Sequence, residues 1–297
     1  MRAEVTSVRQ KTLLRRWKLP VAALFFFVAL TAMNPAHSAA TDKCTDVTFI
    51  GARGSGEESE DSTKGMGPSV YFMAAHLKGA LRDRGVTVGY SHVRYPADST
   101  KELIPSTEEI EALQSYGLGA ALALYYVHHV RPYLKSIHTG VTRMIEEVEL
   151  TDANCPATEI VLGGYSQGAM VIHQAELQLV EEGNGEAMDS ISGTLLLGDG
   201  DRVPNTDAVL MGGAAASGAG IQARLHAGWL HPEDVAEPRT TVEICAPHDI
   251  VCDFSGTAIV YAGRDALLRR NNIHKSYFYE RQNLLDGAVD LIARKVG

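Results

Sequence analysis

Apolar positions along the chain follow two alternating rhythms. Short runs rich in Val, Ile, Leu and Thr occupy residues 46–52, 86–95, 159–163, 192–197 and 240–245. Runs of this length and β-branched content predict strands covered on both faces. Between them the period lengthens to that of a helix. Val70, Met73, Ala74, Leu77 and Leu81 fall on one face, with Pro68 at the first helical position and Gly85 as the stop. Leu134, Ile137, Val141, Ile145 and Val148 form a second stripe. A third helix runs over 167–180 and stops near Gly183, and Leu284, Leu285, Ala288, Val289 and Ile292 mark a C-terminal one. Strand–helix alternation on this scale predicts a parallel sheet with right-handed crossovers, whose ligands bind beyond the carboxyl ends of the strands. Two stretches stand outside the pattern: 101–132, with no clear element, and 199–239, whose Gly/Ala-rich centre at 211–220 reads as a long surface loop or a cover over a cleft.

The composition is that of a globular chain: 297 residues, 45% hydrophobic and 21% charged. Charge is unevenly placed. Six of the 27 Lys and Arg but one of the 36 Asp and Glu lie in the first 40 residues, leaving 21 bases against 35 acids in the remainder. So acidic a body excludes a nucleic-acid partner, which needs a basic face. The first 40 residues read as an export signal: a basic stretch to Lys18, an apolar run from Leu19 to Met33, then small residues around Ser38 and Ala40. The apolar run is too short for a stable membrane span. Residues 41–297 are then one secreted domain, expected to be a monomer.

Export changes the reading of Cys44, Cys155, Cys245 and Cys252. An even set in an oxidising compartment favours disulfides, and four cysteines allow three pairings. Cys245 and Cys252 are close enough to close a small loop, which leaves Cys44 with Cys155. Zinc would need paired Cys/His spacing, which is absent, so no metal is expected. Asp199 and Asp201 lack the rest of a calcium loop.

The chemistry concentrates in Gly164-Tyr165-Ser166-Gln167-Gly168, a G-x-S-x-G pattern between an apolar strand and a helix. That context predicts a strained strand-to-helix turn that exposes a serine hydroxyl beyond the sheet. The helix start turns N–H groups toward a developing oxyanion. The serine needs a base, and the base an orienting acid, in the chain order Ser, acid, His. Of the later histidines, His173 shares the nucleophile's helix, His226 and His231 lie in the 199–239 excursion, and His248 adjoins the candidate acid. His274, late in the chain, is the candidate base. Asp249, just past a strand, is the candidate acid, with Asp253 as its competitor.

Taken in order, Ala52-Arg53-Gly54-Ser55, Cys-Pro with IVLGGYSQGA at 155–169, Cys245 to Cys252 around Asp249, and His274-Lys-Ser-Tyr277 resemble the cutinase family of secreted α/β-hydrolases. The resemblance covers most of 44–295. It implies a three-layer α/β/α sandwich around a mostly parallel five-stranded sheet. It implies Ser166 as nucleophile, Asp249 as acid and His274 as base, an oxyanion hole from Ser55 and the backbone N–H of Gln167, and disulfides Cys44–Cys155 and Cys245–Cys252. One departure is His248, where the family usually has Gly. The two excursions are longer than in small fungal cutinases and look more like bacterial cutinase-like esterases. The function implied is a cofactor-free serine esterase acting on lipid or polyester esters. Its rivals are an acyltransferase with the same triad and a non-catalytic lipid-binding protein.

Overall fold

The structure, a computed structural model, describes residues 44–297 except 104, 115–116, 226–239 and 268–272. Residues 1–40, read above as an export signal, and His226, His231, Trp229 and Leu230 lie outside the described residues, as does the side chain of Leu225.

Six strands form the sheet: β1 Val47–Ala52, β2 Val88–His92, β3 Glu159–Tyr165, β4 Ile191–Leu197, β5 Val209–Met211 and β6 Thr240–Ile244. Their order is β2-β1-β3-β4-β6-β5, with every pair parallel. The helices are α1 Pro68–Arg82, α2 Thr107–Gln114, α3 Leu118–Tyr125, α4 Arg131–Asn154, α5 Gln167–Glu181, α6 Gly185–Ser190, α7 Ile221–Leu225, α8 Gly256–Leu267, α9 Tyr277–Glu280 and α10 Gln282–Ala293.

The strand period of two sorts side chains into two cores. Phe49 and Val161 face α1 and α10, packing with Met73, Leu77, Leu285 and Val289. Ile50, Ile160 and Leu162 face the other way, onto Ile137 and Val141 of α4 and Val171 and Ile172 of α5. Burial of each such side chain contributes about 1.5–3 kcal/mol. Helix α1 begins as its sequence predicts, with Pro68 after Gly67, and ends before Gly85 at φ 77°.

The sheet has one strand more than the five expected. The extra strand is β5, three residues at the edge that pair Val209 with Val242 and Met211 with Ile244. So short a run carries no readable alternation. The 101–132 excursion is largely helical: α2, α3 and a wide π turn over Tyr126–Val130 that runs into α4. The Gly/Ala-rich stretch after β5 is held against the body. Cys245 N–H donates to Met211 O, Ala214 N–H to Cys245 O and Gly220 N–H to Arg202 O. A Cβ on Gly212, at φ 101°, would lie 2.4 Å from Cys245 O, so only glycine permits this approach.

Both disulfides take the expected pairing, Cys44–Cys155 and Cys245–Cys252. The first ties the residue three before β1 to the end of α4. The second closes the loop after β6.

Candidate active site

Three parallel strands deliver the chemistry at their carboxyl ends. β3 leads into Ser166, which sits at φ 53° and ψ −117° just before α5. A non-glycine residue in this region is strained and persists only when its surroundings over-determine it. Here they do. Ser166 N–H donates to Leu197 O at 2.8 Å, and Ser166 O accepts from Met170 N–H at 3.1 Å. A Cβ on Gly168 would lie 2.0 Å from Ala52 O, and one on Gly164 would lie 2.5 Å from Gly168 O. The glycines thus let strand, turn and helix close on one another.

β6 leads into the disulfide loop that carries Asp249, which is fully buried. His274 lies on the one-turn helix Ile273–Lys275 before α9. His274 Nε2 is 2.9 Å from Ser166 Oγ, and His274 Nδ1 is 3.0 Å from both Asp249 oxygens. With Nδ1–H donating to the carboxylate, Nε2 is the acceptor for the serine proton. Burial pushes the Asp249 carboxyl up. The His274 ring, the Val251 N–H and the Tyr277 hydroxyl outweigh that and hold it below its ordinary value, so it is a carboxylate.

Several groups that hold this chain of bonds escaped the sequence reading. Tyr277 OH donates to Asp249 Oδ2 at 2.7 Å and accepts from Ala246 N–H at 2.8 Å. Its spacing of three from His274 puts it one turn along, a signal present in the sequence but without an assigned role. The Tyr165 ring stacks on the His274 ring, with centroids 5.3 Å apart, and its hydroxyl donates to His274 O. Glu57 Oε2 accepts from Gly54 N–H at 2.7 Å; burial raises its carboxyl, against the pull of that bond and of Arg53.

The candidate oxyanion residues meet here too. Gln167 is the first residue of α5, so its N–H is among those a helix leaves open. Ser55 Oγ donates to Asp98 O at 2.5 Å and accepts from Thr100 N–H at 2.9 Å, which fixes its turn. Arg53 pins the same turn through Glu57 O, Tyr95 O and Pro96 O. Ser136 Oγ, on α4, lies 3.4 Å from Gln167 Oε1, and burial pushes the phenol of Tyr133, which lies near the Gln167 and Ser55 side chains, up to about 12.

The competing residues have other employment. Asp253 Oδ2 accepts from His248 N–H, and the His248 ring stacks on Tyr261. His173 is buried 2.6 Å from Asp199 Oδ2, and Gln174 donates to Asp201 Oδ2.

A family model described as Cutinase matches residues 43–283, most of the chain. The chain belongs to the cutinase family. Cutinase-family proteins are carboxylic ester hydrolases, and the relatives found carry such names. A carboxylesterase Culp6 homolog of Corynebacterium glutamicum is 27% identical over 203 residues, covering 62% of this chain and 60% of the relative. A cutinase of Hypocrea jecorina is 31% identical over 170 residues, covering 56% and 52%. The chain thus spans about half to three fifths of the length of these relatives. Among solved structures, a cutinase-like protein from Cryptococcus sp. superposes with a TM-score of 0.57 at 19% identity, over 86% of this chain and 97% of that one. An acetyl xylan esterase gives 0.52 at 18%, over 86% and 100%. Likeness at that identity speaks for the cutinase fold alone.

Proposed function

We propose that this protein is a secreted serine esterase that cleaves lipid or polyester-type carboxylic esters. The observation that carries the reading is the unbroken chain of hydrogen bonds from Ser166 Oγ through His274 to Asp249. Ser166 Oγ attacks the ester carbonyl carbon as His274 Nε2 takes its proton. Charge on the carbonyl oxygen is met by the Gln167 N–H and the Ser55 turn. The tetrahedral adduct expels the alkoxide, which receives the proton from His274, and an acyl-enzyme remains. A water, deprotonated by His274, then attacks the acyl carbon and returns Ser166 and the free acid. Asp249 stays ionised throughout and balances the imidazolium. Export is supported by the basic, apolar and small-residue order of the first 40 residues and by two disulfides, which persist in oxidising compartments.

The test is Ser166→Ala and His274→Ala on a panel of p-nitrophenyl esters from short to long chain, with a polyester film. Each should lose about 10⁴-fold or more in kcat, and the double variant should lose little beyond either alone. Wild-type turnover by purified Ser166→Ala protein would sink the reading.

A further inference from the structure

The exposed face at the start of the 118–145 region has a composition at odds with its setting. Helix α3 reads Leu-Gly-Ala-Ala-Leu-Ala-Leu-Tyr, apolar all round, and Tyr126 and Val127 extend it. A helix of that kind normally lies inside a core or a bilayer. This one is in the open: Leu122 is 58% exposed, Tyr126 50% and Val127 47%. With eight residues it is too short to cross a membrane.

Its charge is unusual as well. Although acids outnumber bases in the chain, no Asp or Glu occurs between Glu111 and Glu146, while Arg131, Lys135 and Arg143 do. Arg131 and Lys135 are exposed on one face of α4, one turn apart, with His138 next along. The acids that face this region come from neighbours. Glu109 of α2 lies 3.5 Å from His129, Glu108 and Glu111 are exposed on the same helix, and Glu181 and Glu182 of α5 share a groove with Arg131, Lys135 and His138.

The position ties the face to the candidate site. Ser136, five residues past Arg131 on α4, reaches Gln167 Oε1 at 3.4 Å, and Tyr133 lies between the two in sequence, near Gln167 and Ser55. On the acid's side, α8 stacks Tyr261 on His248 and shows Ile259 and Val260 to solvent. Exposed apolar side chains therefore occur both on the segment that leads into α4 and on the helix packed on the acid loop.

We propose that residues 118–130, with the cationic start of α4, form a docking surface for an anionic lipid layer and seat the candidate site against it. Apolar side chains beside exposed cations are the composition of a segment that lies in the headgroup region. Anionic headgroups attract the cations, which a neutral layer would leave unused. A second copy of this chain on the same face would bring Arg131 and Lys135 of both copies together. The proposal names where the ester is met and does not depend on turnover.

Ser166→Ala protein is sedimented with vesicles of phosphatidylglycerol mixed with phosphatidylcholine, and with vesicles of phosphatidylcholine alone, in about 0.1 M salt. The mixed vesicles should bind it and the neutral ones should not. Leu122→Gln with Val127→Gln, and separately Arg131→Gln with Lys135→Gln, should each weaken binding about tenfold or more while the melting temperature holds. The proposal is overturned by protein that ignores the mixed vesicles, by equal binding to both kinds, or by variants that bind like the parent. Sedimentation equilibrium showing a dimer that Leu122→Gln with Val127→Gln dissolves would overturn it too, since a second copy would then own the face. Failure of the triad reading would show in turnover and leave these results untouched.

Discussion

Replacing Tyr277 by Phe removes one oxygen from the interior beside the candidate acid and keeps the ring. Two bonds go with it. The first is the donation to Asp249 Oδ2 at 2.7 Å. Burial and the Asp249 charge push the Tyr277 phenol well above its ordinary value, so the phenol is protonated and donates. A hydrogen bond to a charged acceptor contributes about 1.5–3 kcal/mol. The second is the bond from Ala246 N–H at 2.8 Å, whose loss strands a buried donor at a cost of about 1–3 kcal/mol. Together they predict a loss of roughly 2.5–6 kcal/mol, and for a domain of this size a fall in melting temperature of about 5–24 °C.

The kinetic effect is bounded by the first bond alone. If all of it served the transition state, kcat would fall about 10–150-fold. Asp249 keeps Val251 N–H and His274 as partners, so the expected fall is nearer tenfold, with KM little changed. Tyr277 is thus a positioning residue, and its loss should be far milder than that of Ser166. Turnover of p-nitrophenyl butyrate and thermal melts by circular dichroism read the two quantities separately. Wild-type kcat together with an unchanged melting temperature would refute the reasoning.

Gly168→Ala should cost most of the activity, because the new methyl would meet the Ala52 carbonyl at 2.0 Å and push the elbow off the end of β1; a variant with full turnover would show that the elbow is slack. Selective loss of Cys245–Cys252 should lower activity more than stability, since it frees the loop that carries Asp249. Removal of Cys44–Cys155, whose cysteines are 111 apart in sequence, should cost up to about 4–5 kcal/mol, as read by chemical denaturation. Burial pushes His173 down, but the Asp199 carboxylate at 2.6 Å, with Asp201 and Glu243, outweighs it and holds the ring up at about 10. The stability this contributes is complete below the ordinary histidine value and is lost as pH rises through about 10. Asp199→Asn should therefore destabilise by about 3–5 kcal/mol near neutral pH and flatten the alkaline fall in denaturation midpoint; an unchanged alkaline limb would remove His173 from the account.

How far the sequence could be read depended on whether a feature was local. The elbow was legible because a strand, two glycines and a helix start are consecutive residues, and their spacing alone dictates a strained turn. The main strands and helices were legible for the same reason, each carrying its own period. β5 was not, because three residues hold no period and its pairing with β6 is a tertiary fact. Helix α3 was hidden because it is apolar on every side, so no stripe marks it, and α2 because eight residues make little more than two turns. The supports of the triad were illegible in another way. Tyr165 reaches His274 from β3, Glu57 holds Gly54 in the turn after β1 and Ser136 reaches Gln167 from α4, and only the packed sheet brings them together.

His248 shows how a departure from the family pattern is absorbed. The family's usual glycine there suits a left-handed turn, and His248 indeed sits at φ 65°. A side chain in that region costs about 1–2 kcal/mol. The His248 ring regains part of this by stacking on Tyr261 at 4.6 Å, and its N–H is held by Asp253 Oδ2 at 2.8 Å. The turn therefore keeps its course: Asp249 N–H still donates to Ala246 O, and Asp253 N–H to Asp249 O. The strain is met within the loop that the Cys245–Cys252 bridge closes, so the carboxylate facing His274 stays in place. Because the stack uses Tyr261, the substitution also fastens α8 to the acid loop, a tie that glycine could not make.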